Sequence, residues 1–281
     1  MAPQGVRSLS ALARISKVLG ALLVCASTAQ AGDPPPPARV VSINLCTDQL
    51  ALQLAAPGQI VSLSAVARDA QVSPLAEAAM AYPVNHGSAE EVFRLQPDLV
   101  LASAYTSPVT VGLLRRLGLR VEQFPPEDSF DDIRANTRRM GELLGQPDVA
   151  ERLIAGFGAS LAEIPPAHRK VTAVIYGPNG FASAGTGLPD ALLRAAGLTN
   201  AANDVLAFSG TLALEKLVML APEMIITPTP YPGASRAEEL LRHPALAGRA
   251  GAGLAGNEWA CGTVMVARAV ARLAAAREAL E

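Results

Sequence analysis

The residues of this chain that could do chemistry are few and scattered. It has three cysteines, Cys25, Cys46 and Cys261, and three histidines, His86, His168 and His243. The histidines share no metal-ligand spacing. No G-x-S-x-G, H-E-x-x-H or Walker sequence supplies a nucleophile, a zinc site or a phosphate cradle. Gly251 to Gly256 reads G-A-G-L-A-G, with the glycine spacing of a dinucleotide fingerprint. That fingerprint needs a strand before it and a helix after it, and the pattern shows neither, since N-E-W-A-C-G follows. The expectation is a protein without catalytic residues, metal site or cofactor; the rival is an exported two-lobed enzyme acting on a bound metal complex.

Two glutamates stand apart, because each lies in a stretch that the chain uses twice. Ser88 to Ser103 reads S-A-E-E-V-F-R-L-Q-P-D-L-V-L-A-S, and Ala213 to Pro228 reads A-L-E-K-L-V-M-L-A-P-E-M-I-I-T-P. Glu90 falls on Glu215, Pro97 on Pro222 and Asp98 on Glu223, at a constant offset of 215 − 90 = 125 residues. Each copy predicts a short amphipathic helix opening near a glutamate, a Pro-acid break that stops it, and a buried apolar strand. An acid in a first helical turn is favoured by the helix dipole, and Ser88 with Glu91 resembles a capping box, so each glutamate alone has a structural explanation. Their shared register offers a second one: a carboxylate at the tip of each of two similar lobes, a two-point handle for a two-fold partner. His86, just ahead, reads either as a solvated loop residue or as a group facing a cleft.

The elements that must position these residues alternate. Arg39 to Ile43 predicts a strand, Thr47 to Ala56 a helix closed by Pro57-Gly58, and Gln59 to Leu63 a second strand. After the first copy, Pro108 to Leu117 predicts a helix closed by Gly118, and Leu119 to Gln123 a last strand. Strands alternating with helices signal a parallel sheet. Two helices follow on apolar residues spaced by three or four: Phe130, Ile133, Thr137, Met140 and Leu144, then Val149, Leu153, Phe157, Leu161 and Ile164. The second, Pro147 to Ile164, would span about 27 Å, enough to bridge two lobes. A second lobe opens with a strand at Lys170 to Tyr176 and passes through a glycine-rich loop from Gly177 to Gly187. It ends on a helix from Val264 with Val266, Val270, Leu273 and Leu280 on one face.

The predicted fold is therefore α/β, with two Rossmann-like lobes of parallel sheet joined by a rigid interdomain helix and a ligand cleft between them. Its parts are an N-terminal lobe over 38–127, a helical connector over 128–166 that includes the helix 147–164, and a C-terminal lobe over 167–281. Ligands of open parallel sheets bind outside the carboxyl ends of the strands. That rule selects Asn44, Cys46, Arg68, Tyr105, Tyr176, Phe181, Tyr231 and Trp259 as cleft residues.

Composition, 50% hydrophobic and 17% charged, excludes a disordered chain. Residues 1–31 read as a secretory signal, with Arg7, Arg14 and Lys17 ahead of an apolar run from Val18 to Ala26 and Ala29-Gln30-Ala31 as cleavage site. Residues 32–37 read as a proline-rich tether. No other stretch approaches the ~18 apolar residues of a membrane span. Loss of the signal leaves 23 − 3 = 20 basic against 25 acidic residues, a formal charge of −5 that argues against a nucleic-acid partner. Export places Cys46 and Cys261 in an oxidising compartment. Three readings stay open: a disulfide between the lobes, two separate buried thiols, or one thiol facing a ligand's metal. A bridge requires the two Cα atoms within roughly 7 Å.

Taken together, R-V-V-S-I-N-L-C-T-D-Q-L at 39–50, E-x6-P-D-L-V from Glu90, E-x6-P-E from Glu215 and the Trp259 segment resemble a periplasmic substrate-binding protein of ABC importers. The resemblance is to the type with a helical backbone between the lobes, which binds cobalamin, iron siderophores or haem, and it covers essentially the whole chain after the signal. It implies a monomeric periplasmic protein that delivers a metal chelate to an ABC permease dimer in the inner membrane. It also implies that Glu90 and Glu215 dock onto arginines of that permease. Among ligands the N-L-C-T-D-Q-L start is similar to cobalamin binders, although only 4% of the chain is aromatic. A ferric siderophore comes next and haem third, since no histidine or tyrosine is clearly placed as an axial ligand.

Overall fold

The apolar runs of the two repeated stretches become inner strands of two parallel sheets. The computed structural model describes residues 35–229, 235–246, 250–254 and 256–281, so the expected signal and Tyr231 lie outside the described residues. In the first lobe the chain forms β1 (Val40–Ser42), α1 (Leu45–Leu54), β2 (Ile60–Ser64), α2 (Ala76–Ala79), β3 (Val84–Asn85), α3 (Ala89–Arg94), β4 (Leu99–Ser103), α4 (Pro108–Arg116) and β5 (Val121–Phe124). Its five strands are ordered β3-β2-β1-β4-β5, all parallel. β4 is buried along its whole length, with Leu99, Val100 and Leu101 fully shielded. Each such side chain contributes about 1.5–3 kcal/mol of hydrophobic stabilisation.

The connector follows as α5 (Phe130–Leu144) and α6 (Pro147–Ala162). The second lobe adds β6 (Val171–Ile175), β7 (Phe181–Ala182), α7 (Leu188–Ala195), β8 (Leu198–Asn200), β9 (Gly210–Thr211), α8 (Leu214–Leu220), β10 (Met224–Pro228), β11 (Ala250–Leu254) and α9 (Val266–Glu278). Its main sheet runs β11-β10-β6-β8, again parallel, while β7 and β9 pair antiparallel beside it. The glycine-rich G-A-G-L-A-G stretch thus supplies most of edge strand β11 and is not a phosphate-binding turn between a strand and a helix.

The repeat reaches the backbone. Gln96 and Ala221, 125 residues apart, both take the left-handed conformation, φ 48° and 47°, in front of their prolines. Such values are uncommon outside glycine, so the same strained turn has been kept in both lobes. The acids of the two breaks also share a task. Asp98 accepts hydrogen bonds from the Ala38 and Arg39 amides at the start of β1, and Glu223 accepts one from the Thr172 amide at the start of β6. Each acid therefore fastens its own strand to the first strand of its lobe.

Both connector helices bridge the lobes, not α6 alone. Val149, Ala150 and Leu153 of α6 join the core of the first lobe, and Phe157 and Leu161 join that of the second. On α5, running the other way, Met140 and Leu144 join the first and Ile133 the second. The two helices meet closely, since a Cβ on Gly141 would stand 2.5 Å from the Ala150 Cβ. The end of the proline tether packs on the lobe: Pro37 is buried and its carbonyl accepts from Gln59 Nε2 at 2.7 Å.

Candidate functional site

A cavity of about 370 Å³ lies between the lobes. From the first lobe it is lined at the carboxyl ends of β1, β4 and β5, by Asn44, Cys46, Thr47 and Leu50, by Ser103 and Tyr105, and by Phe124 through Asp128. From the second come Thr186 to Pro189 at the start of α7, Ser209, Ala260 and Gly262. This is the place where open parallel sheets hold ligands.

Cys46 and Cys261 are joined by a disulfide across this cleft, with Cα atoms 5.2 Å apart. The bond fastens the first turn of α1 to the segment before α9. Neighbouring contacts tighten the same seam, where Asn257 Nδ2 donates to the Ala70 carbonyl at 2.8 Å. Gly262 is required here, because a Cβ would stand 2.4 Å from the Glu127 Cβ.

Of the expected cleft residues, Asn44, Cys46 and Tyr105 line the cavity, and Tyr105 is 80% exposed at its mouth. The other described ones stand elsewhere. Tyr176 is fully buried in the second lobe, where its hydroxyl donates to the Leu212 carbonyl at 3.0 Å and burial pushes its pKa up. Trp259 packs against the core of that lobe. Arg68 donates to the Tyr82 carbonyl at 2.5 Å and so braces a loop of the first lobe, and half-exposed Phe181 sits in the β7–β9 ribbon. His86 is exposed, its ring 3.4 Å from Glu91, and lies outside the cavity lining. Sequence reasoning missed Phe124–Asp128 and Thr186–Pro189. The first group obeys the same strand-end rule just past β5; the second straddles the end of the glycine-rich loop, where Gly187 adopts φ 140° ahead of α7.

Electrostatically the lining is one-sided. Glu127 and Asp128 contribute carboxylates, and no lysine, arginine or histidine is among the described lining residues. Burial, more than any neighbour, pushes the Glu127 pKa above the ordinary carboxylate value, against the hydrogen bond from Asn136. Behind the cleft, Asp48 of α1 accepts from the amide and hydroxyl of Ser64 at the end of β2, and burial raises its pKa to about 6. No described group of three His, Cys, Asp or Glu residues is arranged to hold a metal ion, and no described helix is long and apolar enough to cross a membrane.

Glu90 and Glu215 stand outside the cavity lining and are alike. Each is the second residue of its helix, α3 or α8, and each is exposed. Ser88 caps α3 by accepting from the Glu91 amide at 3.2 Å, while Glu91 reaches back to the His86 amide at 2.7 Å, which leaves Glu90 outside the cap.

A family model described as periplasmic binding protein matches residues 40–251. The chain belongs to the periplasmic binding protein family. Within it, this binding protein is 27% identical over 205 residues to a cobalamin-binding protein of Halobacterium salinarum, covering 68% of the chain. It spans about half the length, 54%, of that curated relative. The fold is shared with the periplasmic heme-binding protein RhuT from Roseiflexus sp. RS-1, at 20% identity, a TM-score of 0.67, and coverage of 85% of this chain and 97% of that one. It is also shared with the periplasmic vitamin B12 binding protein BtuF of Vibrio cholerae, at 17% identity, a TM-score of 0.60, and coverage of 88% and 98%.

Proposed function

We propose that this protein is the substrate-binding component of an ABC importer, that it captures a corrinoid of the cobalamin type in the interlobe cleft, and that it delivers it to a permease dimer from the periplasm. The observation that carries the choice of ligand is the cleft lining, which combines Tyr105, Phe124, Leu188 and three prolines with two carboxylates and no described basic side chain. Haem presents carboxylates, which such a lining repels at close range. A corrinoid presents neutral amides, which carboxylates and backbone carbonyls accept. Tyr105 does give haem an oxygen donor at the cleft mouth, but without a cation beside it for the propionates. A corrinoid is larger than the cavity, so one face is held while the other stays in solvent beside Tyr105. The name of the curated relative supports the same ligand class.

A second reading, a ferric hydroxamate siderophore, is favoured by the same acidic lining when the chelate is neutral or cationic. Binding without turnover accords with the family. In delivery, Glu90 and Glu215 act as the two docking carboxylates, pairing with guanidinium groups of a two-fold permease. Uptake of radiolabelled cyanocobalamin by cells carrying the wild-type protein, Glu90→Ala, Glu215→Ala or the double variant tests this directly. Uptake should fall by about tenfold for each loss of a charge-assisted pair, furthest in the double variant, with ligand affinity unchanged. Full uptake by the double variant would remove the docking role, and equal uptake with and without the wild-type protein would remove the corrinoid reading.

A further inference from the structure

We propose that Glu127 is the specificity-determining residue of the cleft: its carboxylate accepts a hydrogen bond from an uncharged or cationic N–H donor on the chelate and turns away chelates that carry carboxylates. The proposal rests on the interlobe cleft being the ligand site and goes further by assigning selection to one side chain.

Glu127 is held in place from three sides. Pro125 and Pro126, directly after β5, restrict the backbone that leads to it. Asn136 of α5, 4% exposed, donates through Nδ2 to both Glu127 Oε1, at 2.5 Å, and the Pro125 carbonyl, at 3.0 Å. Gly262, next to the bridged Cys261, closes on the other flank, with a would-be Cβ 3.0 Å from Glu127 Oε2. One carboxylate oxygen is therefore occupied by the protein, while the other receives no hydrogen bond from another described residue. A fixed acceptor of this kind loses little freedom when a ligand arrives.

The remaining polar groups of the lining are mostly engaged with the protein. Asn44 Oδ1 accepts from the Cys46 amide, Thr47 shares a hydrogen bond with Ser42, Ser103 Oγ accepts from the Tyr105 amide, and Ser209 Oγ is bonded to both the amide and the carbonyl of Ala184. Asp128 Oδ1 lies at the start of α7, 3.9 Å from where a Cβ on Gly187 would stand. That leaves Glu127 as the charged acceptor locked at the junction of the lobes. No described basic side chain of the lining neutralises it. The charged groups facing it are Asp132 and Asp128, both of which raise its proton affinity; Gly262, packed on it from the second lobe, carries no charge.

The test uses Glu127→Gln, which keeps the shape and the oxygen that Asn136 donates to. Affinities of the wild-type protein and the variant are measured by titration calorimetry for cyanocobalamin, which offers amides; ferrioxamine B, which offers an ammonium group; and haemin, which offers carboxylates. In the wild type haemin should bind weakest. The variant should bind the donor probe about tenfold or more weaker, as expected for loss of a hydrogen bond to a charged acceptor, and haemin no weaker than before. Wild-type affinity for the donor probe should fall as the pH is lowered and Glu127, its pKa raised by burial, takes up its proton, and the variant should show no such fall. A purely structural role would alter the urea midpoint without this pH signature. Unchanged affinities in Glu127→Gln, or haemin binding that depends on Glu127, would overturn the proposal. If only ferrioxamine B binds and weakens in the variant, the role of Glu127 stands and the corrinoid reading falls; if none of the probes binds the wild type, both fall.

Discussion

Removing the Cys46–Cys261 bridge should destabilise the protein heavily, because the bond joins positions 215 residues apart in sequence. In the chain-entropy account, a crosslink closing a loop of that length withdraws about 5 kcal/mol worth of freedom from the unfolded chain. The connector does not substitute for it: α5 and α6 hold the lobes together only while folded, and they constrain nothing in the unfolded ensemble. Cys46→Ala with Cys261→Ala leaves small apolar side chains, which suits buried Cys261 and half-buried Cys46. Allowing for residual structure in the unfolded chain, the double variant should lose about 3–5 kcal/mol in urea denaturation followed by circular dichroism at neutral pH. Reduction of the wild type should give the same curve as the variant. A loss below about 1 kcal/mol would show that the bridge does not restrict the unfolded chain as argued. Alkylation of both thiols in the unreduced protein would show that it does not form. With the bridge intact and two helices spanning both cores, scattering profiles with and without ligand should nearly superimpose; a large compaction on binding would contradict this rigidity.

Other expectations follow from single residues. Asp48 has a folded pKa of about 6 against an ordinary 3.8, so the folded state holds the extra proton and stability declines as pH rises through that window. Relative to Asp48→Asn, the wild type should lose up to about 3 kcal/mol between pH 4 and pH 7 in denaturation curves, and parallel curves would rule out the buried charge. Gly141→Ala should cost about 1–3 kcal/mol despite the better helix propensity of alanine, because its Cβ would collide with Ala150; a gain in thermal midpoint would mean that α5 and α6 separate freely. Gln96→Gly and Ala221→Gly should each leave stability level or higher, since glycine relieves the positive φ at both turns, and a matched loss at both sites would count against strain there.

The two-lobed architecture was legible because its signals are local. The spaced apolar residues of α5 and α6 mark helices whatever they pack against, and the repeated Glu and Pro-acid positions mark equivalent units before any contact is known. What the periodicity does not carry is which core each half of a helix meets, and so within the connector 128–166 only the second helix was given a bridging length. The cleft was legible where a strand end meets a polar turn, as at Asn44 and Tyr105. It was misread at Tyr176, because the rule counts residues from the strand and cannot see that its hydroxyl finds the Leu212 carbonyl inside the lobe. Glu127 was overlooked for a related reason: its position depends on Asn136 and Gly262, which the sequence places 9 and 135 residues away.

Equilibrium dialysis of the purified, disulfide-intact protein against cyanocobalamin tests the central claim most directly. Saturable binding of a single ligand per chain is expected, with a Kd at or below about 1 µM, as an importer's capture protein requires. Absence of binding at ligand concentrations near about 100 µM would contradict it.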